Sequence, residues 1–510
     1  MSDMIHSDDL AHIIEVASNA TGRPSEVEHR IRRFDAVYRW LRSRVIPVRN
    51  VERQLIHFPK RFGVLYGWRR FQPVSRALPT KIIGILAIFL LSLGSGCSRH
   101  LAREPVTITF LDIEYDTPDR LPGLAQDIQA FTQETGIQVK RLPRPAGSLN
   151  QLAMWRELLQ KGAATPDVYG IDAIWSGILN RYFIDLKPYF ATEVSSEYPV
   201  VVASYTVGEK LVAVPRHAYV GVLFYRADLL QRYGFREPPR TWDELEKMAA
   251  RIQAGERARG QKDFWGFVWQ GGMNEDLTCA GLEWQTSEGG GRIVEDNQTI
   301  SVNNPDAVSA WLRAARWVGT ISPPSTVAYE KWDSENLWYS GKAAFQRGWV
   351  SDYSLITFYD PPEKATSFGV TSLPAGKVGR TGVLGGNALA ISRTSAHPRE
   401  AMELIHFLLR RDAQRMTAIA HSQVPKQLEL FQLPDILEPY PQLAGAKQHG
   451  GVVVARPSLV SGEKYEDVST AYIRQLHSVL SSRKIPSAAA ADLEKELVAI
   501  TGFKPGPPSK

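Results

Sequence analysis

Past residue 104 the chain alternates between two hydrophobic periods. Val106-Thr107-Ile108-Thr109-Phe110 puts an apolar side chain at every second position and predicts a strand. Leu124, Ile128 and Phe131 then recur at helical spacing, Gly136 supplies a stop, and Ile137-Gln138-Val139 returns to the two-residue period. A βαβ opening of this kind predicts a parallel sheet covered by helices. Asp167-Val168-Tyr169-Gly170-Ile171 predicts another buried strand, with Asp172 just past its carboxyl end, where ligands bind in open α/β sheets.

The strongest helix start is Pro238-Pro239-Arg240-Thr241-Trp242-Asp243-Glu244. Thr241 is placed to cap the free amides and Glu244 to reach back, while Leu245, Met248, Ala249 and Ile252 form the apolar stripe. Asn304-Pro305 opens a second helix with Val308, Trp311, Leu312 and Ala315 on one face, and a third spans His397 to Arg410. Gly289-Gly290-Gly291 reads as a turn, and the Pro-rich end, residues 504–510, as a disordered tail. There is no internal repeat.

One apolar run, Ile82 to Leu93, stands apart. It is too short to span a bilayer comfortably, follows Arg76 and Lys81, and ends in Gly94-Ser95-Gly96-Cys97. Residues 74–97 therefore read as an export signal, and the terminal Cys resembles a bacterial lipobox, although Leu93 lies four residues before Cys97 where three is usual. Lipidation of Cys97 is the preferred reading over plain cleavage or retention as an anchor. Residues 1–73 admit two readings. Translation starting at Val74 would make them an artefact; alternatively they form a cytoplasmic segment whose stretch His29 to Arg44 is a basic amphipathic helix. Arg69-Arg70 hints at twin-arginine export, but its flanks fit that pattern badly.

The 510 residues are 44% hydrophobic and 22% charged, which excludes a disordered or collagen-like chain and suffices for two or three domains with real cores. A polytopic membrane protein is excluded by the lack of repeated long apolar runs. The net charge of +6 sits entirely in residues 1–97, with 15 Lys/Arg against 8 Asp/Glu; the remainder carries 45 against 46. A nucleic-acid partner is thereby excluded for the folded part. Of the two cysteines, Cys279 sits in Leu277-Thr278-Cys279-Ala280 and reads as a buried structural thiol.

No nucleophile elbow, His pair, Cys pair or P-loop is present, and nothing calls for a metal or cofactor. Asp172, Glu275 and Glu283 are the carboxylates that a glycosidase would need as acid and base. Above background stands a richness of aromatic residues at segment ends: Trp175, Tyr219, Trp269, Trp284, Trp338, Tyr339 and Trp349. Such rings stack on sugar faces while Asp, Glu, Asn and Arg take hydroxyls. Core packing is the alternative for each.

Over nearly all of residues 104–503 the sequence resembles the extracellular solute-binding proteins of bacterial ABC sugar importers, in the trehalose/maltose-binding branch. The resemblance rests on Pro166-Asp167-Val168 with Asp172 and Trp175; Val214-Pro215, Gly221 and Tyr225-Arg226-Ala227-Asp228-Leu229-Leu230; Pro238 to Leu245; and Trp269-Gln270-Gly271 with Glu275, Leu277, Glu283 and Trp284. It continues through Ser340-Gly341-Lys342-Ala343-Ala344-Phe345, Trp349, Gly385-Gly386, and Ala455-Arg456-Pro457 with Tyr465.

The resemblance implies a two-lobed α/β fold of the periplasmic-binding-protein type (type II), each lobe a sheet flanked by helices. Residues 104–218 plus 384–445 would form one lobe and 219–383 plus 446–503 the other. The crossings fall near Tyr219 to Tyr225 and Leu384 to Ile391. It further implies a ligand site of Asp172, Trp175, Tyr219, Glu275, Trp349, Gly385, Gly386 and Arg456, with the two glycines approached closely by ligand. His217 and Tyr219 stand where the family often has an aromatic residue and then Asp, and Asn274 and Asp276 depart from the usual flanks of Glu275. The expected protein is a lipid-anchored, extracytoplasmic, monomeric receptor. It captures a di- or oligosaccharide for an ABC permease and performs no chemistry. An exported carbohydrate-active enzyme and a sugar-sensing subunit of a membrane signalling system are the alternatives.

Overall fold

The computed structural model describes residues 105–113, 123–145, 148–352, 367–415 and 451–508, together with the backbone of 25–32 and 38–45. Two units divide the chain, Met1–Arg103 and Glu104–Lys510. In the first, strands β1 (Ser25–Arg32) and β2 (Tyr38–Val45) pair antiparallel. Within the stretch His29 to Arg44, residues 29–32 and 38–44 lie in these paired strands, where a helix was expected. Ile31, Tyr38 and Trp40 there are β-branched or aromatic types that favour a pleated backbone. The run Ile82 to Leu93, with Val74 and Cys97, lies outside the described residues; among those described, no helix is long and apolar enough to cross a membrane.

The second unit contains β3 (Thr107–Leu111), β4 (Gln138–Arg141), β5 (Val168–Asp172), β6 (Thr206–Val207), β7 (Lys210–Leu211), β8 (Val214–Arg226), β9 (Trp265–Val268) and β10 (Thr299–Ile300). It continues with β11 (Ala343–Trp349), β12 (Phe368–Ser372), β13 (Thr381–Ile391), β14 (Val452–Val454) and β15 (Lys504–Pro505). The main sheet has the order β4-β3-β5-β13-β8-β11-β9, with β12 beside β8 and β14 beside β13. Pairing is parallel at the flanks, β3 with β4 and β5, and β11 with β9. At the centre it is antiparallel, β13 with β5 and β8, and β8 with β11. The sheet is therefore mixed where a parallel one was expected. Its two long strands, β8 and β13, run between its halves in opposite directions, and parallel pairing is left to the flanks and to the short β14 beside β13.

Two separate cores lie along this sheet. One gathers Phe110, Phe131, Trp155, Tyr169, Trp175 and Leu404; the other gathers Trp242, Phe267, Trp269, Trp284, Trp311 and Tyr472. β8 changes partner between them: Val214 to Val220 pair with β13, Gly221 to Tyr225 with β11. Residues 455–466 touch the first core although they lead into helices of the second. Tyr465 packs in the first core, and a Cβ on Gly177 would lie 2.1 Å from the Ser458 carbonyl oxygen.

Local signals act largely as the sequence predicts. Gly136, at φ +77°, ends the helix Gly123–Thr135 with its N–H donating to the Thr132 carbonyl at 2.9 Å. Thr241 Oγ1 accepts from Glu244 N at 3.2 Å, while the Glu244 carboxylate accepts from Arg240 N at 2.6 Å, one residue beyond the cap amide of a reciprocal box. Gly289 and Gly290 donate to the Thr286 and Gln285 carbonyls at 3.0 and 2.9 Å, closing the helix Glu275–Ser287 as a Schellman turn.

Three expectations change. The helix Pro305–Trp317 buries Ala307, Ala310, Trp311 and Ala314, whereas Leu312 is exposed, because one residue past Trp311 is a rotation of about 100° around the axis. The third helix runs Pro398–Leu408, inside the expected ends. The tail is ordered through Gly506: β15 pairs parallel with β10, and Gly506 N donates to the Ile300 carbonyl at 3.0 Å. An extended Pro-containing segment still offers carbonyls and the remaining N–H groups to an edge strand.

Candidate ligand-binding site

The register of the crossing strands sets the site. Asp172, the last residue of β5, is paired with Asn387 of β13, and Asn387 with His217 of β8. Two residues along, Tyr219 is paired with Gly385 and shares the face of His217, the two rings being 6.3 Å apart and nearly parallel. Trp349, ending β11, is paired with Gly221. Gly386, at φ +146°, sits where a Cβ would lie 2.3 Å from the His217 carbonyl oxygen, so only glycine fits beside this bulge.

Arg456, two residues past β14, joins the two halves. Its nearly buried guanidinium donates from Nη2 to Asp172 Oδ1 at 3.0 Å and from Nη1 to Glu275 Oε1 at 3.1 Å. Asp172 Oδ1 also accepts from Ile174 N at 3.0 Å. Glu275 opens its helix under Asn274, whose Oδ1 caps Asp276 N at 3.0 Å. Tyr465 Oη donates to Glu275 Oε1, and Ser469 Oγ donates to Oε2 at 2.6 Å. Burial raises the Glu275 carboxyl above its usual range, opposed by Arg456 and the two hydroxyls. Arg456 Nε is buried with no hydrogen-bond partner, beside a small cavity lined by Ala173, Ser204 and Leu384.

A second arginine lies deeper. Arg347 and Glu283 are both fully buried and paired through Nη2 to Oε1 at 2.7 Å and Nε to Oε2 at 3.0 Å. Glu283 Oε1 also accepts from Val383 N at 3.2 Å, and a Cβ on Gly221 would lie 1.9 Å from the same oxygen. The Arg347 guanidinium carbon stands 4.3 Å from the centre of the Trp349 ring, and a Cβ on Gly385 would meet that ring at 2.9 Å. Trp349 is partly buried, and its backbone N–H donates to Asp352 Oδ2 at 2.7 Å. Lys331 Nζ lies 2.8 Å from Asp352 and 3.2 Å from Glu335, and burial pushes the Glu335 carboxyl up to about 7.

Among the residues singled out from sequence, Asp172, Glu275 and Arg456 meet in one network, and Tyr219, Trp349, Gly385 and Gly386 line the neighbouring crossing. Trp175 does not present a free face: it is 1% exposed and packs edge-on against Trp155, because the helix it begins turns into the first core. Trp269, Trp284 and Trp338 are likewise core rings, the first two 5.0 Å apart edge to face. Glu283 is closed off by Arg347, and Cys279 is buried, its thiol pushed up by that burial. Sequence reasoning passed over Arg347, Asn387 and Ser469. The available signal was Gln346-Arg347 inside the run Ala343 to Gly348, a charge in an otherwise buried strand.

Residues 116–415 match the family model described as bacterial extracellular solute-binding protein. The chain belongs to this family. Among relatives of this solute-binding protein, one from Deinococcus radiodurans named "Probable ABC transporter-binding protein" is 39% identical over 375 residues, covering 73% of this chain and 89% of the relative. A binding protein of Brucella abortus is 27% identical over 283 residues, covering 52% of this chain and 66% of that one. Maltose-bound MalE3 of T. maritima superposes with a TM-score of 0.69 at 29% identity, covering 78% of this chain and all of the other. The GacH receptor of Streptomyces glaucescens, solved unliganded and with acarbose, gives 0.67 at 22%, covering 79% and 100%. The two cores are thus the lobes of a periplasmic-binding-protein fold, and the family places this solute-binding protein outside the cytoplasm.

Proposed function

We propose that the chain is a receptor that captures a di- or short oligosaccharide between its lobes and hands it to an ABC permease. The observation that carries this reading is Arg456, whose guanidinium spans Asp172 of one half and Glu275 of the other, while the Trp349 ring lies against Gly385 of the crossing strand β13. Charged acceptors and donors for hydroxyls, next to an aromatic ring, are what a sugar needs. The sugar-bound states of T. maritima MalE3 and the GacH receptor support the ligand class. The two cores support lobes of 104–218 plus 384–445 and 219–383 plus 446–503, apart from Tyr465 and Val453, which pack with the first core. Crossings near Tyr219 to Tyr225 and Leu384 to Ile391 agree with the partner change at Val220 and Gly221. The receptor performs no chemistry, consistent with Asp172, Glu275 and Glu283 each engaging an arginine. It acts as a monomer held to the membrane by acyl chains on Cys97.

A thermal-shift screen against mono-, di- and oligosaccharides tests the capture. A sugar that binds only the folded state raises the melting point by mass action. A panel without any shift, or turnover of a chromogenic glycoside, would reject the reading. Mass spectrometry of membrane-associated protein from the native host tests the anchor: the expected first residue is acylated Cys97, and unmodified soluble protein beginning beyond it would reject acylation.

A further inference from the structure

We infer that Arg347, held by Glu283, is a positioning residue that fixes the Trp349 ring and ties it to the crossing strands. The inference rests on the carbohydrate reading above and adds the device that aims the ring. A buried ion pair contributes little net stability, since desolvation offsets its attraction, so the placement of this one calls for another reason. Three contacts supply it. The guanidinium covers one face of Trp349 at 4.3 Å, leaving only the opposite face for a ligand. The carboxylate that holds the guanidinium also accepts from Val383 N of β13. The same carboxylate presses on Gly221 of β8. Both crossing strands and the ring thus meet at one ion pair, so strand rotation during lobe closure moves the platform under the ring.

The test uses the full chain labelled with 5-fluorotryptophan, the Trp349 resonance being assigned by its loss in Trp349→Phe. A charge-neutral double variant, Arg347→Met with Glu283→Leu, removes the platform while filling the site, a replacement that buried ion pairs tolerate without unfolding. Its Trp349 resonance should shift and broaden. Its affinity for whichever of maltose, trehalose and maltotriose the parent binds should fall at least tenfold by calorimetry. Arg347→Lys keeps the charge but loses the planar stack, and should give a smaller change in both measurements. An unchanged Trp349 resonance in the folded double variant overturns the inference, as does a shifted resonance with affinity within twofold of the parent. Should the double variant fail to fold, Arg347→Lys decides by the same two criteria. If the parent binds none of the three sugars, the fluorine spectra alone decide the ring's positioning, and that failure counts against the ligand class instead.

Discussion

Arg347 and Arg456 are both almost wholly buried, yet their surroundings differ. Arg347 meets one carboxylate in a two-point pair, fully enclosed, with Gln270 Oε1 a further 3.4 Å away. Arg456 makes single-point contacts to two carboxylates from different halves, each more than a quarter exposed, and its Nε is left over. The first arrangement has nothing to exchange with a ligand. The second keeps acceptor capacity on Asp172 and single-point donors, the arrangement that the proposed capture of a sugar requires.

The largest expected effect attacks the closed pair. Arg347→Ala or Glu283→Ala leaves an uncompensated buried charge and should lower stability by about 3–5 kcal/mol, measured by urea unfolding. Arg456→Ala should cost less, because water reaches both of its carboxylates. Equal losses would erase the contrast between the two arginines. Affinity should divide the opposite way for residues of the proposed ligand site. Trp349→Ala and Asp172→Ala should each weaken sugar binding by about tenfold, roughly 1.4 kcal/mol, with little change in melting point. Trp242→Phe, whose indole donates to Ser287 Oγ at 3.0 Å deep in the second core, should leave binding intact. Binding lost in Trp242→Phe and kept in Trp349→Ala would move the site elsewhere.

The smallest effect concerns a carboxylate served by a lysine. Burial pushes the Glu335 carboxyl up to about 7 in the folded chain, against roughly 4.3 in an unfolded one. Its neutral form favours the folded state. Its ionisation therefore removes stability as pH rises from about 4.3 to 7, with no further loss above. Glu335→Gln should melt close to the parent at pH 5 and above it at pH 8, by about 4 °C at most. A difference that is constant with pH would show that Glu335 titrates normally.

These contrasts mark how far the sequence could be read. Thr241, Asn304 and Gly136 were legible because capping and helix termination are local chemistry. The mixed sheet was not, because pairing of β8 with β13 joins residues more than 150 positions apart, and no spacing within either strand records its partner. Asp172, Glu275 and Arg456 were found through family resemblance, while their meeting at one guanidinium is a tertiary fact. Trp175 and Trp349 look alike in sequence. Only burial separates the ring that fills a core from the one left partly exposed.

The glycines at the crossing set a limit on evolution and engineering alike. A methyl group at Gly221, Gly385 or Gly386 would meet Glu283, the Trp349 ring or the His217 carbonyl at 1.9, 2.9 and 2.3 Å respectively. A comprehensive mutational scan should therefore show an intolerant band running obliquely over the sheet, present whether or not selection includes a sugar. Libraries aimed at new ligand preferences have room beside that band at position 219, whose half-buried ring can vary without forcing two backbones apart, whereas His217 is buried.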